Sequence, residues 1–254
     1  MRIALTRAVS PRLAECELSF VDRKPIDVAR AIAQHEAYER CLEGLGCRVL
    51  EVEPAPDLPD SVFVEDAAVV LDALAVITRP GAPSRRAETE SVARALRRYR
   101  AVRFLAEPAT LDGGDVLLVD RKLFVGRSRR TNDRGIAQLR ELVEPIGYSV
   151  AAIPLRDCLH LKSAVTHLGN GTILLNPDWV DAEAFAGFDA IAVDPAEPFA
   201  ANTLRLDGTL LMPASHPGTR RLVESRGFHV ETVDCSELEK AEGGVTCCSL
   251  IFES

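Results

Sequence analysis

The apolar positions of this chain fall into a phrase that recurs five times. In each copy a helical stretch ends near a glycine or alanine, a short apolar run follows, and the run stops at an acid or a proline. The copies are 46–54, 101–108, 147–154, 187–195 and 227–234. Regular recurrence on this scale is the mark of a structural repeat, in which each unit buries an apolar face against its neighbour. A helix is predicted ahead of each phrase. The clearest is Val28 to Leu45, where Val28, Ala31, Ile32, His35, Tyr38, Cys41, Leu42 and Leu45 share one face, Asp27 is placed to cap it and Gly46 to end it.

Two β-like runs precede four of the helices: 62–71 with 73–78, 115–119 with 123–125, 164–168 with 172–175, and 202–206 with 209–212. Gly169-Asn170-Gly171 and Asp207-Gly208 are tight-hairpin signals between such runs. The unit is therefore strand, strand, helix, strand. The fifth is complete only if 245–252, at the far end of the chain, joins Arg2 to Thr6 at its beginning. That closure predicts an α/β fold, a five-bladed pseudo-fivefold propeller, forming a single domain over 1–254 in which loops of every unit converge on the axis. An ordinary open α/β sheet made of the same elements is the alternative.

Composition narrows the function. With 254 residues, 47% of them hydrophobic and 27% charged, the chain can bury a large core. A formal net charge of -8 argues against a general nucleic-acid binder and suits a small cationic partner. Apolar stretches such as Ala67 to Ile77 fall far short of the ~20 residues that cross a membrane, and the first residues lack the apolar centre of a signal peptide. A soluble, cytoplasmic protein is expected. Seven scattered cysteines fit no paired framework, so reduced thiols are expected, and no C-x-x-C or H-x-x-x-H spacing offers a structural metal site.

Candidate chemistry concentrates near the carboxyl end, where Gly243-Gly244-Val245-Thr246-Cys247-Cys248-Ser249 presents two thiols from a glycine hinge. Neighbours in a strand point to opposite faces, so only one of Cys247 and Cys248 can look into a pocket, and position alone leaves the choice open. His160 has rivals in His35, His167, His216 and His229. Asp112-Gly113-Gly114-Asp115 reads as a turn whose glycines allow a carboxylate to approach a ligand closely. Asp60-Ser61-Val62-Phe63-Val64-Glu65-Asp66 sets acids inside an apolar run, which is costly unless they are paired or needed for binding. Arginine loops at 79–86 and 128–132 suit a carboxylate ligand. A thiol, an imidazole and an acid gathered from separate units are the parts of a nucleophilic site.

Set in order, these strings resemble the dimethylarginine dimethylaminohydrolases of the guanidino-group-modifying, or amidinotransferase, superfamily. The matching segments are 59–66, 77–81, 84–90, 110–115, Gly126 to Asn132, Leu159 to Ser163 and Gly244 to Cys247, spread over nearly the whole chain. The resemblance implies the pentein form of the propeller and hydrolysis of Nω-methylated arginine to citrulline and a methylamine, with no metal or organic cofactor. It implies Cys247 as nucleophile, His160 as general acid and base, and Asp112 as their acidic partner where other members carry Glu. Asp66 then matches a guanidinium-binding carboxylate. Asp60, Arg85 and Arg130 match positions that hold the amino-acid end, Phe63 and Glu65 join them as substrate-binding candidates, and Leu18 falls in a lid. The segment Ser10 to Arg23 departs most from relatives, and Lys240-Ala241-Glu242 is expected against the methyl groups. A homodimer is compatible with the sequence. The competing functions are an arginine deiminase-like hydrolase, an amidinotransferase and a non-catalytic binding propeller.

Overall fold

The computed structural model describes residues 1–254 and contains five three-stranded sheets. In chain order they are Leu250–Glu253, Arg2–Thr6 and Arg48–Glu51; Ala68–Val70, Leu74–Ile77 and Ala101–Phe104; Val116–Val119, Lys122–Arg127 and Ser149–Pro154; Val165–Gly169, Thr172–Leu175 and Asp189–Ala192; and Leu204–Leu206, Thr209–Pro213 and His229–Val233. In every sheet the middle strand runs antiparallel to the first and parallel to the third. All five recurrent phrases supply third strands. The carboxyl-terminal strand pairs with the amino-terminal one, Arg2 opposite Glu253 and Leu5 opposite Leu250, so the two ends of the chain complete one sheet.

Five apolar clusters close these sheets into a ring, each shared by two successive units. Leu206, Leu211 and Val233 pack against Ala4, Leu13 and Leu42. Ile3, Leu5 and Phe252 meet Ala75, Ile77 and Val92. Val69 and Val76 meet Leu111 and Leu123, Leu117 and Phe124 meet Val165 and Ile173, and Leu168 and Leu174 meet Leu210 and Met212. A unit alone would leave its apolar face in water. Ring closure covers all five faces without terminal caps.

The helix Val28–Gly44 begins where Asp27 accepts from Arg30 N–H at 3.0 Å and gives way to Gly46 at φ +86°. Its buried face is Ala31, Gln34, His35, Tyr38 and Leu42; Ile32, expected inside, is 40% exposed at the edge of that stripe. The hairpin signals hold at Asn170 and Asp207, both with positive φ. Three expectations need correction. The fourth unit has only a short 3-10 turn, Ala182–Phe185, where a helix was expected, because about a dozen residues bounded by Pro177 and Gly187 bridge its second and third strands. The runs expected to start at 62, 115 and 164 open instead as helical turns, at Val64–Ala67, Gly113–Asp115 and Leu161–Ala164, before their strands begin. Residues 245–249 likewise form a turn ahead of Leu250, so Cys247 and Cys248 are not strand neighbours.

Those turns share one place in the repeat, the lead-in to each first strand. The first strands line an axial cavity of about 440 Å³, with Val69, Leu117, His167, Leu204 and Ile251 among its walls. Close packing fixes where the lead-ins sit. A Cβ at Gly135 would lie 2.0 Å from the Thr110 carbonyl oxygen, whereas one at Gly208 would meet nothing within 4 Å. Gly135→Ala must therefore push the helix Asp133–Val143 off the segment that carries Asp112. Overpacking of this kind costs about 1–3 kcal/mol, so calorimetry should give a melting temperature several degrees lower for Gly135→Ala than for Gly208→Ala; equal values would show that the contact yields without strain.

Candidate active site

The lead-ins place a thiol loop, an imidazole and several carboxylates side by side. His160 stands just before the turn Leu161–Ala164, its Nε2 3.0 Å from Asp112 Oδ2 and its Nδ1 3.8 Å from Asp66 Oδ1. Gly114 makes this approach possible, since a Cβ there would lie 2.6 Å from His160 Nδ1 and 2.8 Å from Asp66 Oδ1. The acids are held in turn. Asp112 Oδ1 accepts from Gly81 N–H at 2.8 Å, Asp66 Oδ1 from Gly114 N–H at 2.9 Å, and Asp66 Oδ2 from Arg85 Nη1 at 2.6 Å. Asp115 accepts from Ser128 and Thr131 hydroxyls and from Leu161 N–H, tying the imidazole turn to the preceding unit.

Asp66, Asp112 and His160 are the buried ligand-type group that packs most tightly, with donor atoms within 4.8 Å of one another. Their charge balance is internal. Burial works against an imidazolium, yet Asp66, the hydrogen bond to Asp112 and the charge of Asp115 raise His160 to about 9. Burial pushes Asp66 up, but His160 and Arg85 outweigh it and leave its carboxyl below the ordinary range. Burial, with a smaller push from Asp112, outweighs His160 and the hydroxyls of Ser128 and Thr131 and lifts Asp115 to about 6.

Cys247 retains partial exposure, while Cys248 is 2% exposed within the core cluster of the first unit. Gly244 N–H points at Cys247 Sγ at 3.3 Å, and Glu65 N–H donates to the Cys247 carbonyl at 3.1 Å. Dense surroundings, then the charges of Glu65 and Asp66, push the Cys247 thiol up to about 12. Tyr38 Oη, 2.8 Å from the Val245 carbonyl, pins the same loop from the first helix.

The remaining candidates divide into two groups. Glu65 is paired with Lys162 and accepts from Thr246 Oγ1 at 2.9 Å, and both acid and lysine also line the axial cavity; its carboxylate is committed to protein partners. Arg85 likewise spends its donors on Asp66, Glu88 and the carbonyls of Asp60 and Phe63, with only Nη1 left a further hydrogen. Phe63 is buried against Gly243, whose Cβ would meet its ring at 2.3 Å. By contrast, Arg130 keeps a buried Nη1 without a hydrogen-bond partner, 3.9 Å from Asp112.

The segment containing Leu18 lies across these groups. Both oxygens of Asp60 accept from Glu17 N–H at 3.2 Å, Arg130 Nη2 reaches Ser19 Oγ at 3.4 Å, and Leu18 packs against the core of the first unit. Its clasp was not foreseen. The Glu242 carboxylate accepts from the N–H groups of Ser19, Phe20 and Val21 at 2.7, 2.6 and 3.1 Å, so it meets the backbone of the segment expected to form a lid. The other residue that sequence reasoning missed is Asn202, which bonds both Thr246 and Lys162.

Similar proteins bear on this arrangement. The family described as N,N dimethylarginine dimethylhydrolase, eukaryotic, matches residues 18–253. An N(G),N(G)-dimethylarginine dimethylaminohydrolase of Streptomyces coelicolor is 46% identical over 248 residues, covering 97% of this chain and 95% of the relative. A solved structure of the Pseudomonas aeruginosa enzyme, a cysteine-to-serine variant complexed with citrulline, superposes with a TM-score of 0.94 at 34% identity, covering 98% of each chain. Another solved structure, of a dimethylarginine dimethylaminohydrolase with histidine replaced by glycine, in adduct with S-methyl-L-thiocitrulline, gives a TM-score of 0.94 over 99% of this chain and 100% of the other, also at 34% identity.

Two measurements test the geometry. Asp112→Asn removes a hydrogen bond and a charge that hold the imidazolium, so titration of the His160 ring by NMR should give a value clearly below about 9. The raised folded-state value stabilises the protein below the unfolded value of roughly 6.5 and loses that contribution as pH rises through about 9. The wild type should therefore lose more stability over that window than the variant, and parallel curves would refute the coupling. Glu242→Ala leaves three lid N–H groups without their acceptor, and limited proteolysis should cut within 17–23 faster than in the wild type; an unchanged rate would mean the carboxylate does not hold the lid.

Proposed function

The chain belongs to the dimethylarginine dimethylaminohydrolase family, and from that premise we propose that its own residues carry the hydrolysis of Nω-methylated L-arginine to L-citrulline and a methylamine. The observation that carries this reading is the placement of an imidazole 3.0 Å from one buried carboxylate, Asp112, and 3.8 Å from another, Asp66, whose charge in turn acts on the partly exposed thiol of Cys247. A guanidinium carbon flanked by three nitrogens is a poor electrophile. It calls for acids to hold the cation and a thiolate to attack.

In this reading Asp66 faces the guanidinium, with Glu65 adding negative charge from the partition behind it. Asp60 and Arg130 take the ammonium and carboxylate of the amino-acid end, exchanging their present lid partners, while Leu18 covers the ligand and Phe63 backs the hinge. The unpartnered Arg130 Nη1 is a donor waiting for an anion. Arg85 acts chiefly by fixing Asp66, and reaches a ligand only through Nη1.

At neutral pH the free site holds a thiol and an imidazolium, since the first loses its proton near 12 and the second near 9. A cation bound beside Asp66 and Glu65 cancels the charges that hold the thiol proton, so the substrate favours its own nucleophile. Cys247 gives its proton to solvent as the cation binds, and the resulting thiolate forms a C–S bond at the guanidinium carbon. The C–N bond to the methylated nitrogen then breaks, and His160 gives its proton to the departing amine. This leaves an S-linked thiouronium and a neutral imidazole. Water attacks that carbon, His160 takes one of its protons, the C–S bond breaks, the remaining hydroxyl proton passes to the departing sulfur, and citrulline leaves with the thiol and the imidazolium of the free site restored. Asp112 keeps the ring oriented through both transfers.

The seven cysteines are all unpaired, which suits the reducing cytoplasm in which we place the reaction. Products distinguish this activity from its relatives: with dimethylarginine the expected outcome is citrulline plus dimethylamine, whereas citrulline from arginine, or transfer to an added amine, would mark a deiminase or an amidinotransferase. Cys247→Ser should abolish citrulline formation and Cys248→Ser leave much of it, as read by mass spectrometry. The opposite pattern would move the nucleophile to Cys248.

A further inference from the structure

We propose that Asn202 is a positioning residue that fixes the Cys247 loop relative to the His160 turn; the inference rests on the roles just given to those two residues. Asn202 is 6% exposed and stands in the lead-in to Leu204–Leu206, the one lead-in to which neither the sequence nor the proposed mechanism gives a part. Its side chain reaches both neighbours. Nδ2 donates to the Lys162 carbonyl at 3.1 Å, two residues past His160, and to Thr246 Oγ1 at 3.0 Å, one residue before Cys247. Oδ1 accepts from Thr246 N–H at 3.1 Å. The fit against the loop is tight, because a Cβ at Gly244 would lie 2.4 Å from Asn202 Oδ1, and it is Gly244 N–H that points at the Cys247 sulfur.

A second bridge between the same segments runs through Glu65, which pairs with Lys162 and accepts from Thr246 Oγ1. That bridge is charged and adds to the negative field on the thiol. Asn202 spans the gap with a neutral amide that has both the donors and the acceptor the backbone requires. A carboxylate could not donate to Lys162, and would oppose the thiolate. An aliphatic side chain would leave the Lys162 carbonyl and Thr246 N–H unpaired in a buried place. Because attack demands alignment of sulfur and proton donor, a displacement of about 1 Å can cost ~100-fold in rate.

The control is Asn176→Ala. Asn176 is 3% exposed and donates to the Pro198 carbonyl at 3.0 Å, bracing the chain just ahead of the same lead-in without touching Thr246. With dimethylarginine as substrate, Asn202→Ala should lower kcat by at least about tenfold and leave KM within about threefold. Asn176→Ala should lose a similar amount of thermal stability yet keep kcat within about threefold of wild type. Thr246→Val removes the hydroxyl that Asn202 holds, and the Asn202→Ala/Thr246→Val pair should be no slower than Asn202→Ala alone if the two act as one unit. Should Asn202→Ala not fold, Asn202→Asp keeps the volume and the acceptor but loses the donors, and the same tenfold fall is expected. Equal kcat losses at 202 and 176, multiplicative effects of 202 and 246, or a change confined to KM would each overturn the proposal. If Cys247→Ser keeps its activity, the thiol assignment fails; if it does not and Asn202→Ala keeps kcat, only the present inference fails.

Discussion

A circuit of hydrogen bonds runs through the five lead-in segments and returns to its start. Gly114 N–H donates to Asp66, Leu161 N–H to Asp115, Asn202 Nδ2 to the Lys162 carbonyl, Thr246 N–H to Asn202, and Glu65 N–H to the Cys247 carbonyl. The apolar clusters between units close the ring mechanically, but this polar circuit decides which atoms face one another on the axis. Five buried or half-buried segments that belong to different units can hold fixed relative positions only if their backbone groups find partners across the unit boundaries. The helical turns at the starts of the first strands serve that purpose: they free N–H groups from the sheet ladder and aim them sideways.

The same circuit explains how so many charges tolerate burial. Arg85 sits between Asp66 and Glu88, Glu65 is set against Lys162, and the imidazolium of His160 lies between Asp66 and Asp112. Removing one member of such a set strands its partner, which costs several kcal/mol, whereas the intact set need contribute little net stability. Burial first, and then the charges of Glu65 and Asp66, keep the Cys247 thiol protonated. In the proposed reading such a site is idle without a cationic ligand and becomes nucleophilic when one binds.

The periodic parts of this arrangement were legible in the sequence, the third strands above all, because a glycine, an apolar run and a proline or acid record burial and termination directly. The helix cap at Asp27 and the hairpins at Asn170 and Asp207 were readable for similar reasons. The lead-in turns were not. Residues 62–67 are apolar or buried on every side, so they show neither the alternation of a strand nor the period of a helix, and the pair Glu65 and Asp66 could not be sorted by face. Resemblance named Cys247, His160, Asp112 and Asp66, and also Arg85, though as a holder of the amino-acid end and not as the partner of Asp66, while Asn202 carries no motif. Arg85 looks like a surface arginine until Asp66 and Glu88 are set around it. Asn202 follows two alanines and precedes a threonine, and only its place in the lead-in to a first strand, two residues ahead of Leu204 as Asp66 is of Ala68, marks it out. Glu242 is invisible for another reason: its partners are backbone N–H groups more than two hundred residues away.

Lid and thiol loop are not independent parts. Glu242 lies five residues before Cys247, at φ +58°, a conformation that side chains other than glycine adopt at some cost. The cost is offset by three hydrogen bonds from lid N–H groups to one carboxylate, each charge-assisted. On the other side, Asp60 and Arg130 hold Glu17 N–H and Ser19 Oγ. An amino acid offers an ammonium and a carboxylate, which are stronger partners for Asp60 and Arg130 than an amide N–H and a hydroxyl. In the proposed reading, a ligand's amino-acid end therefore competes with the 17–21 segment for Asp60 and Arg130 but not for Glu242. That segment has two attachments with different fates in this proposal: the one at Asp60 and Arg130 would exchange partners on binding, and the one at Glu242 on the thiol loop would stay in place.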